Sequence, residues 1–280
     1  MKRKKIAGRI LLYILIGLVG IVMLYPLVWM FFATFKSNNE IFGTLKLLPK
    51  AFGLDAYIEG WKGVGKYNYS RYFINTFLIV IPTTLFTLLS CSIVAYGFAR
   101  FRFPMKKLLF AILIGTLMLP NTVIIIPRYM MFNKVGWLNT YMPFYAPAIL
   151  ACYPFFIYML MQFIRGLPRE LDESAYIDGC GTFQCFTSIL LPLLKPALFS
   201  AGLFQFMWTY NDFMNSLIFI NSVEKYPIAL ALRTAIDSEA NIQWNEIMAM
   251  AFLSVLPLII LFFAGQKYFV QGIATSGMKG

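Results

Sequence analysis

Residues 71–100 read RYFINTFLIVIPTTLFTLLSCSIVAYGFAR, with no charged side chain between Arg71 and Arg100. A helix crossing a bilayer needs about 20 mainly apolar residues, and this run supplies them without a polar stripe to face water. Four other intervals have the same character: between Arg9 and Lys36, Lys107 and Arg128, Lys134 and Arg165, and Glu246 and Lys267. A sixth, between Lys195 and Asp212, is shorter. It reaches spanning length when extended back through Ile189, Leu190, Leu191 and Leu194, with Lys195 snorkelling to the interface. The pattern predicts an all-α polytopic membrane protein with six transmembrane helices in one membrane domain.

Composition agrees, since 60% of the 280 residues are apolar and 13% are charged, against about 25% charged in a soluble domain. The net charge of +12 raises nucleic acid as a partner, but the basic residues form no aromatic-interleaved patch. They gather in short connections, above all Lys2, Arg3, Lys4, Lys5 and Arg9, then Arg100, Arg102, Lys106 and Lys107. Six spans put both termini on one side, and the positive-inside rule makes that side the cytoplasm. Segments assigned inside then hold 14 basic and 4 acidic residues, and those outside hold 10 and 8. Residues 165–188 are expected in the cytoplasm, and residues 37–70 and 213–245 outside. The apolar run after Arg9 continues to Phe35 with no small-x-small site, so the first helix reads as an uncleaved anchor.

The chain has no histidine and no CxxC pair, so no metal site or disulfide is expected. Cys91, Cys152, Cys180 and Cys185 are expected to pack as reduced, small apolar groups. Prolines at 26, 82, 120, 143, 147, 154 and 257 fall inside the spans. Kinks at a moving pathway and the general proline enrichment of membrane helices account for them equally well.

One connection differs from the rest: Pro168 to Pro192, PRELDESAYIDGCGTFQCFTSILLP. Arg169 to Asp178 lacks a breaker and places Glu170, Asp172 and Glu173 in the first turns, where the helix dipole favours negative charge. Leu171 and Ala175 share a face, and Gly179 follows as a helix-ending residue. Thr182 is expected to cap a second helix with an apolar stripe of Phe183, Phe186, Ile189 and Leu190, and Pro192 restricts Leu191 at the membrane entry. A paired-carboxylate active site on Glu173 and Asp178 has no buried pocket to separate the two pKa values.

These residues resemble the signature of permease subunits of ATP-binding-cassette importers: EAA, three residues, Gly, nine residues, then I-x-L-P. The match runs through Glu173, Ser174, Ala175, Gly179, Ile189, Leu191 and Pro192, both spacings are intact, and serine replaces the middle alanine. Phe35-Lys36-Ser37, Gln162-Phe163 and Tyr210-Asn211-Asp212-Phe213, which is similar to the family's WNDF, extend the resemblance over almost the whole chain. It narrows toward the carbohydrate-uptake class, in particular the second permease subunit of maltose-type importers. The resemblance implies a type I importer fold in which Glu173, Ser174, Ala175, Asp178, Gly179, Ile189, Leu191 and Pro192 couple to an ATPase. It also implies a tail, with Gly277, Lys279 and Gly280, that reaches toward that ATPase.

The organisation expected is an N-terminal segment, first helix and external loop over 1–70, a transmembrane core over 71–266 containing the coupling loop 168–192, and a cytoplasmic tail over 267–280. The partners implied are a second homologous permease, a pair of ATPase subunits, an extracytoplasmic solute-binding protein, a sugar or oligosaccharide and the bilayer. No Walker A sequence occurs, so ATP and magnesium are expected on the partner and no cofactor or catalytic residue on this chain. The alternative, a secondary transporter or channel independent of an ATPase, would bury ionisable residues mid-span, and the five clean intervals have none. Tyr96, Asn121, Tyr153 and Asn211 are candidates to face a pathway, without an assigned sugar contact.

Overall fold

Each uncharged interval is mainly helical in the computed structural model, which describes residues 2–63, 66–238 and 242–277, with side-chain surroundings for 8–63, 66–237 and 242–266. The elements are α1 (Lys2–Ala33), α2 (Asn38–Gly43), α3 (Asp55–Trp61), α4 (Tyr69–Arg100), α5 (Lys106–Leu117), α6 (Asn121–Lys134) and α7 (Met142–Ile149). They continue with α8 (Pro154–Gly166), α9 (Glu170–Ile177), α10 (Thr182–Leu193), α11 (Lys195–Tyr210), α12 (Phe213–Phe219), α13 (Ile228–Ser238) and α14 (Trp244–Gly277).

Among the described residues, four segments are long and apolar enough to cross a membrane: Gly8–Ala33, Tyr69–Arg100, Met142–Gly166 and Trp244–Gln266. Two bent pairs raise the number to six if each is one span. The third and fifth spans, expected as continuous helices, are therefore broken: α5 meets α6 at 105° and α10 meets α11 at 76°. Pro120 sits at the first break with extended backbone, ψ 139°. At the second, Pro196 has no N–H to continue the ladder, and its ring crowds the carbonyl four residues back. Residues Ile189 to Leu193 thus belong to α10 rather than prolonging α11 in line, and Lys195 stands at the bend.

The chain divides into two compact units, Met1–Ser70 with Leu232–Pro257, and Arg71–Ala231 with Leu258–Gly280. In the first, α1 is apolar on all sides beyond Arg9, and none of the residues from Ile10 to Leu27 is buried, as suits a helix whose neighbours are lipid or another chain. Past α1, a capping box opens α2: the Ser37 backbone N–H donates to the Glu40 carboxylate at 3.2 Å and holds that carboxyl below its ordinary range. Asn38 ties down the start of α14, donating to the Ile242 carbonyl at 2.7 Å and accepting from the Trp244 N–H at 2.9 Å.

The second unit is built on α4, α8, α10 and α11. Cys91, Ala95, Phe156, Leu160, Met161, Ile164, Phe186, Leu190, Leu194 and Ala201 form its buried core. The segment Met142–Gly166 is interrupted between α7 and α8, where Ala151 takes a positive φ of 55° and Pro154 opens α8. The break leaves irregular backbone inside the unit, and α4 packs side-chain donors against it. The Ser90 hydroxyl donates to Ala148 O at 2.5 Å and the Cys91 thiol to Tyr153 O at 3.8 Å. Cys91 and Cys185 are fully buried as expected of small apolar groups, but Cys152 is exposed and Cys180 half-exposed. Cys152 lies in the irregular turn between the two half-helices, where no neighbour covers it.

Ser90→Ala removes the short hydroxyl bond and leaves Ala148 O only the Ala151 N–H at 3.4 Å, while keeping the packing volume close. The expected result is a destabilisation of about 1 kcal/mol or more, read as a lower unfolding temperature of the detergent-solubilised protein. An unchanged midpoint would show that the break satisfies itself.

Candidate functional site

The signature residues fall on α9, the turn after it and α10. Acidic residues at the start of α9 favour the helix, and a Schellman turn ends it. Asp178 is the C-terminal cap, the Gly179 N–H donates to Tyr176 O at 3.1 Å, and the Cys180 N–H donates to Ala175 O at 2.9 Å. Gly179 has φ +82°, a left-handed conformation that an L side chain resists, although open space surrounds the position of a Cβ. Backbone conformation alone thus makes glycine the residue for this turn.

Burial sorts the face of α9 that packs from the face that is presented. Ala175 and Asp172 are buried, whereas Glu173, Ser174, Asp178 and Gly179 are exposed. Asp172 pairs with Arg100 at the end of α4, its Oδ2 lying 2.8 Å from Nε, with 11% and 7% of the two side chains exposed. The Nε–H does not point at that oxygen, so the attraction is ionic more than a directed hydrogen bond. Arg100 also donates from Nη2 to Leu167 O at 3.2 Å, and the Cys185 thiol donates to Asp172 Oδ1 at 3.6 Å. One buried carboxylate therefore joins α4, α9 and α10.

The second helix departs from the expectation in two ways. Its cap residue is Gly181, with Thr182 already helical and making no side-chain cap. Over Cys185–Leu190 it is a π-helix, whose wider turn changes which side chains line up. Cys185, Phe186, Leu190 and Leu194 face the core, Phe183 is 73% exposed, and Ile189 and Leu191 are half-buried. The stripe at helical spacing placed Phe183 inside and left out Cys185; the π turn corrects both. Pro192 is exposed. Tyr96 belongs to this site rather than to a pathway, stacking on Phe186 with ring centroids 5.0 Å apart and donating to Thr182 O at 3.3 Å.

Of the other candidates, Asn121 and Tyr153 line one polar cavity, and Asn211 is exposed, bonding back to Met207 O at 2.9 Å. Asp212 caps α12 by accepting from the Asn215 N–H at 3.1 Å. Gly277 ends α14, and Lys279 and Gly280 lie outside the described residues. Reasoning from sequence missed Arg100, counted with the orienting charges, and the pairing role of Asp172. No local spacing signals a contact between residues so far apart in the chain.

Residues 72–275 match the family described as "Binding-protein-dependent transport system inner membrane component". The chain is 32% identical to "Probable ABC transporter permease protein YurM" of Bacillus subtilis (strain 168), over 100% of this chain and 91% of that one. It is 31% identical to "Trehalose/maltose transport system permease protein MalG" of Thermococcus litoralis, over 99% of each. The fold is similar, with a TM-score of 0.83 at 21% identity over 96% and 98% of the two chains, to the crystal structure of a bacterial ABC transporter involved in import of the acidic polysaccharide alginate.

Removing one member of the buried pair leaves the other charge uncompensated. Asp172→Ala is therefore expected to destabilise the protein by about 3–5 kcal/mol. The double variant Arg100→Leu with Asp172→Leu should recover much of that loss, because two apolar groups need no partner. Thermal unfolding of wild type, both single leucine variants and the double decides it, and additive losses would show that the two residues do not interact.

Proposed function

We propose a function from the premise that the chain belongs to the family of binding-protein-dependent transport system inner membrane components. It is a permease subunit of an ATP-driven importer, forming half of a translocation pathway, and its solute is a sugar or oligosaccharide. The observation that carries the coupling role is the division of α9 into two faces. Asp172 and Ala175 are buried against the rest of the unit, while Glu173, Ser174 and Gly179 are presented outward. A short helix clamped from behind and bare in front suits a partner's groove, and it transmits that partner's movement because the clamp does not yield.

In this reading α9 docks on an ATPase subunit that binds ATP and magnesium, and the chain itself has no catalytic residue. Both termini and residues 165–188 are cytoplasmic, a second permease completes the pathway, and a solute-binding protein delivers sugar from outside. The saccharide assignment is supported by the trehalose/maltose relative, which this chain resembles from end to end, together with the sequence signatures. The charge asymmetry between the connections supports the orientation.

Cysteine labelling tests the orientation: a cysteine replacing the exposed Ser174 should react with an impermeant maleimide only after membrane disruption, in a background where the exposed Cys152 is replaced by alanine. Labelling in intact cells would overturn the topology and the docking with it. For the coupling role, Gly179→Val adds a β-branched side chain at positive φ, with strain of about 1–2 kcal/mol, and re-aims α9. The variant is expected to insert normally yet lose most sugar uptake, with ATP hydrolysis uncoupled or the ATPase released. Wild-type uptake, hydrolysis and co-purification together would refute a hinge at this residue.

A further inference from the structure

A polar cavity of about 140 Å³ opens among α6, α7, α11, α12 and the turn before α8, and the coupling loop makes no use of it. Gln205 of α11 lines it with only 2% of its surface exposed. Its amide donates to Thr209 Oγ1 at 2.9 Å, but its buried Oε1 accepts no hydrogen bond. The Asn215 side chain repeats the situation: Nδ2 donates to Asp212 Oδ2 at 2.7 Å, and the buried Oδ1 has no donor. Buried acceptors without donors are uncommon because they have lost their water and gained nothing. Two around one cavity point to a ligand that brings O–H or N–H groups.

The remaining lining narrows the ligand's chemistry. Trp208 is half exposed, and its ring is fixed by Phe155 and Phe156, with centroids 5.0 and 5.3 Å away. Its other surface is a flat apolar platform beside the polar wall. Arg128 donates to Asn121 Oδ1 at 3.4 Å and lies over the rings of Phe219 and Phe132, at 5.5 and 5.8 Å. Asp212 adds a carboxylate, which burial pushes up in pKa against the Asn215 donors and the Arg128 charge that hold it down. One acid and one base leave the lining without net charge. A carboxylated ligand would meet the Asp212 carboxylate and two orphan acceptors that it cannot satisfy, and a cationic one would meet Arg128.

We propose that this cavity is a subsite for a neutral sugar ring, whose hydroxyls donate to Gln205 Oε1 and Asn215 Oδ1 while its apolar face stacks on Trp208. This subunit then touches the saccharide directly instead of leaving recognition to the partner permease. The inference rests on the reading of the chain as part of a saccharide importer.

The test uses the complete transporter in proteoliposomes with its binding protein and ATP. Radiolabelled maltotriose, galactobiose and diacetylchitobiose are the neutral probes, and trigalacturonate is the acidic one. Should wild type import none of the neutral probes, the importer reading fails for these sugars and the subsite falls with it. With a neutral sugar imported, Trp208→Ala and Gln205→Leu should each lower uptake efficiency about threefold or more, and Trp208→Tyr should restore it. Trp208 is half exposed, so its variant decides the matter even if Gln205→Leu fails to assemble. Smaller losses in every assembled variant, no rescue by tyrosine, or a preference for trigalacturonate would overturn the subsite while leaving the importer reading intact.

Discussion

Burying a charge is costly unless a partner is buried with it, and in the second unit Arg100 and Asp172 meet that constraint together. Arg100 ends the long helix α4, where a cation also answers the helix dipole, and Asp172 lies in the first turn of α9, where an anion does the same. Each side chain is therefore suited to its own helix before the two meet. Their pairing converts two local preferences into one fixed distance, because neither can move to water without leaving the other exposed to the full desolvation penalty. The Cys185 thiol also donates to Asp172 Oδ1, and Arg100 Nη2 donates to the Leu167 carbonyl, so each member of the pair is held to a further neighbour.

Two features of the backbone then determine how rigid the connection is. The Schellman turn at Gly179 closes α9 with two hydrogen bonds, so the chain reverses without a flexible linker. The π turn over Cys185–Leu190 rotates α10 so that Cys185 and Phe186 both reach the core. The exposed Phe183 is the counterpart of that rotation. It leaves an apolar side chain on the outer surface beside α9, in keeping with a chain that works against other subunits.

Much of this was legible in advance because bilayer and helix leave strong marks on sequence. Uncharged runs located the four spanning segments and both bent pairs, and the acids of Glu170, Asp172 and Glu173 followed by Gly179 located α9 and its end. What stayed hidden depended on contacts between distant residues or on small departures from regular helix. Arg100 looked like one more orienting charge, since a pair spanning several helices has no period. Thr182 and Phe183 were misplaced because the expected stripe assumed 3.6 residues per turn. The breaks at Pro120 and Pro196 could have been suspected from proline alone, but Pro26, Pro82 and Pro257 lie within continuous helices. Proline marks where a helix can break, and packing decides whether it does.

The breaks also explain why a chain so apolar has a polar cavity at all. A continuous membrane helix hides its backbone and has no reason to carry Asn, Gln or Asp toward its neighbours. Where helices end inside the unit, capping residues and turn residues must come with them, and irregular backbone at such depth is tolerated only against protein or a water-filled space. Asn121 opens α6 immediately after Pro120, Tyr153 precedes Pro154 at the start of α8, and Asp212 caps α12 after α11 ends. Three helix termini thus converge on one cavity, and at one of them the polar side chain, Asp212, is the cap that the helix needs. Gln205 is different, because it sits inside α11 where no cap is needed and its oxygen has no partner. Local folding accounts for Asp212 but not for Gln205, and for that reason the glutamine carries more weight as a sign of a ligand than the carboxylate beside it.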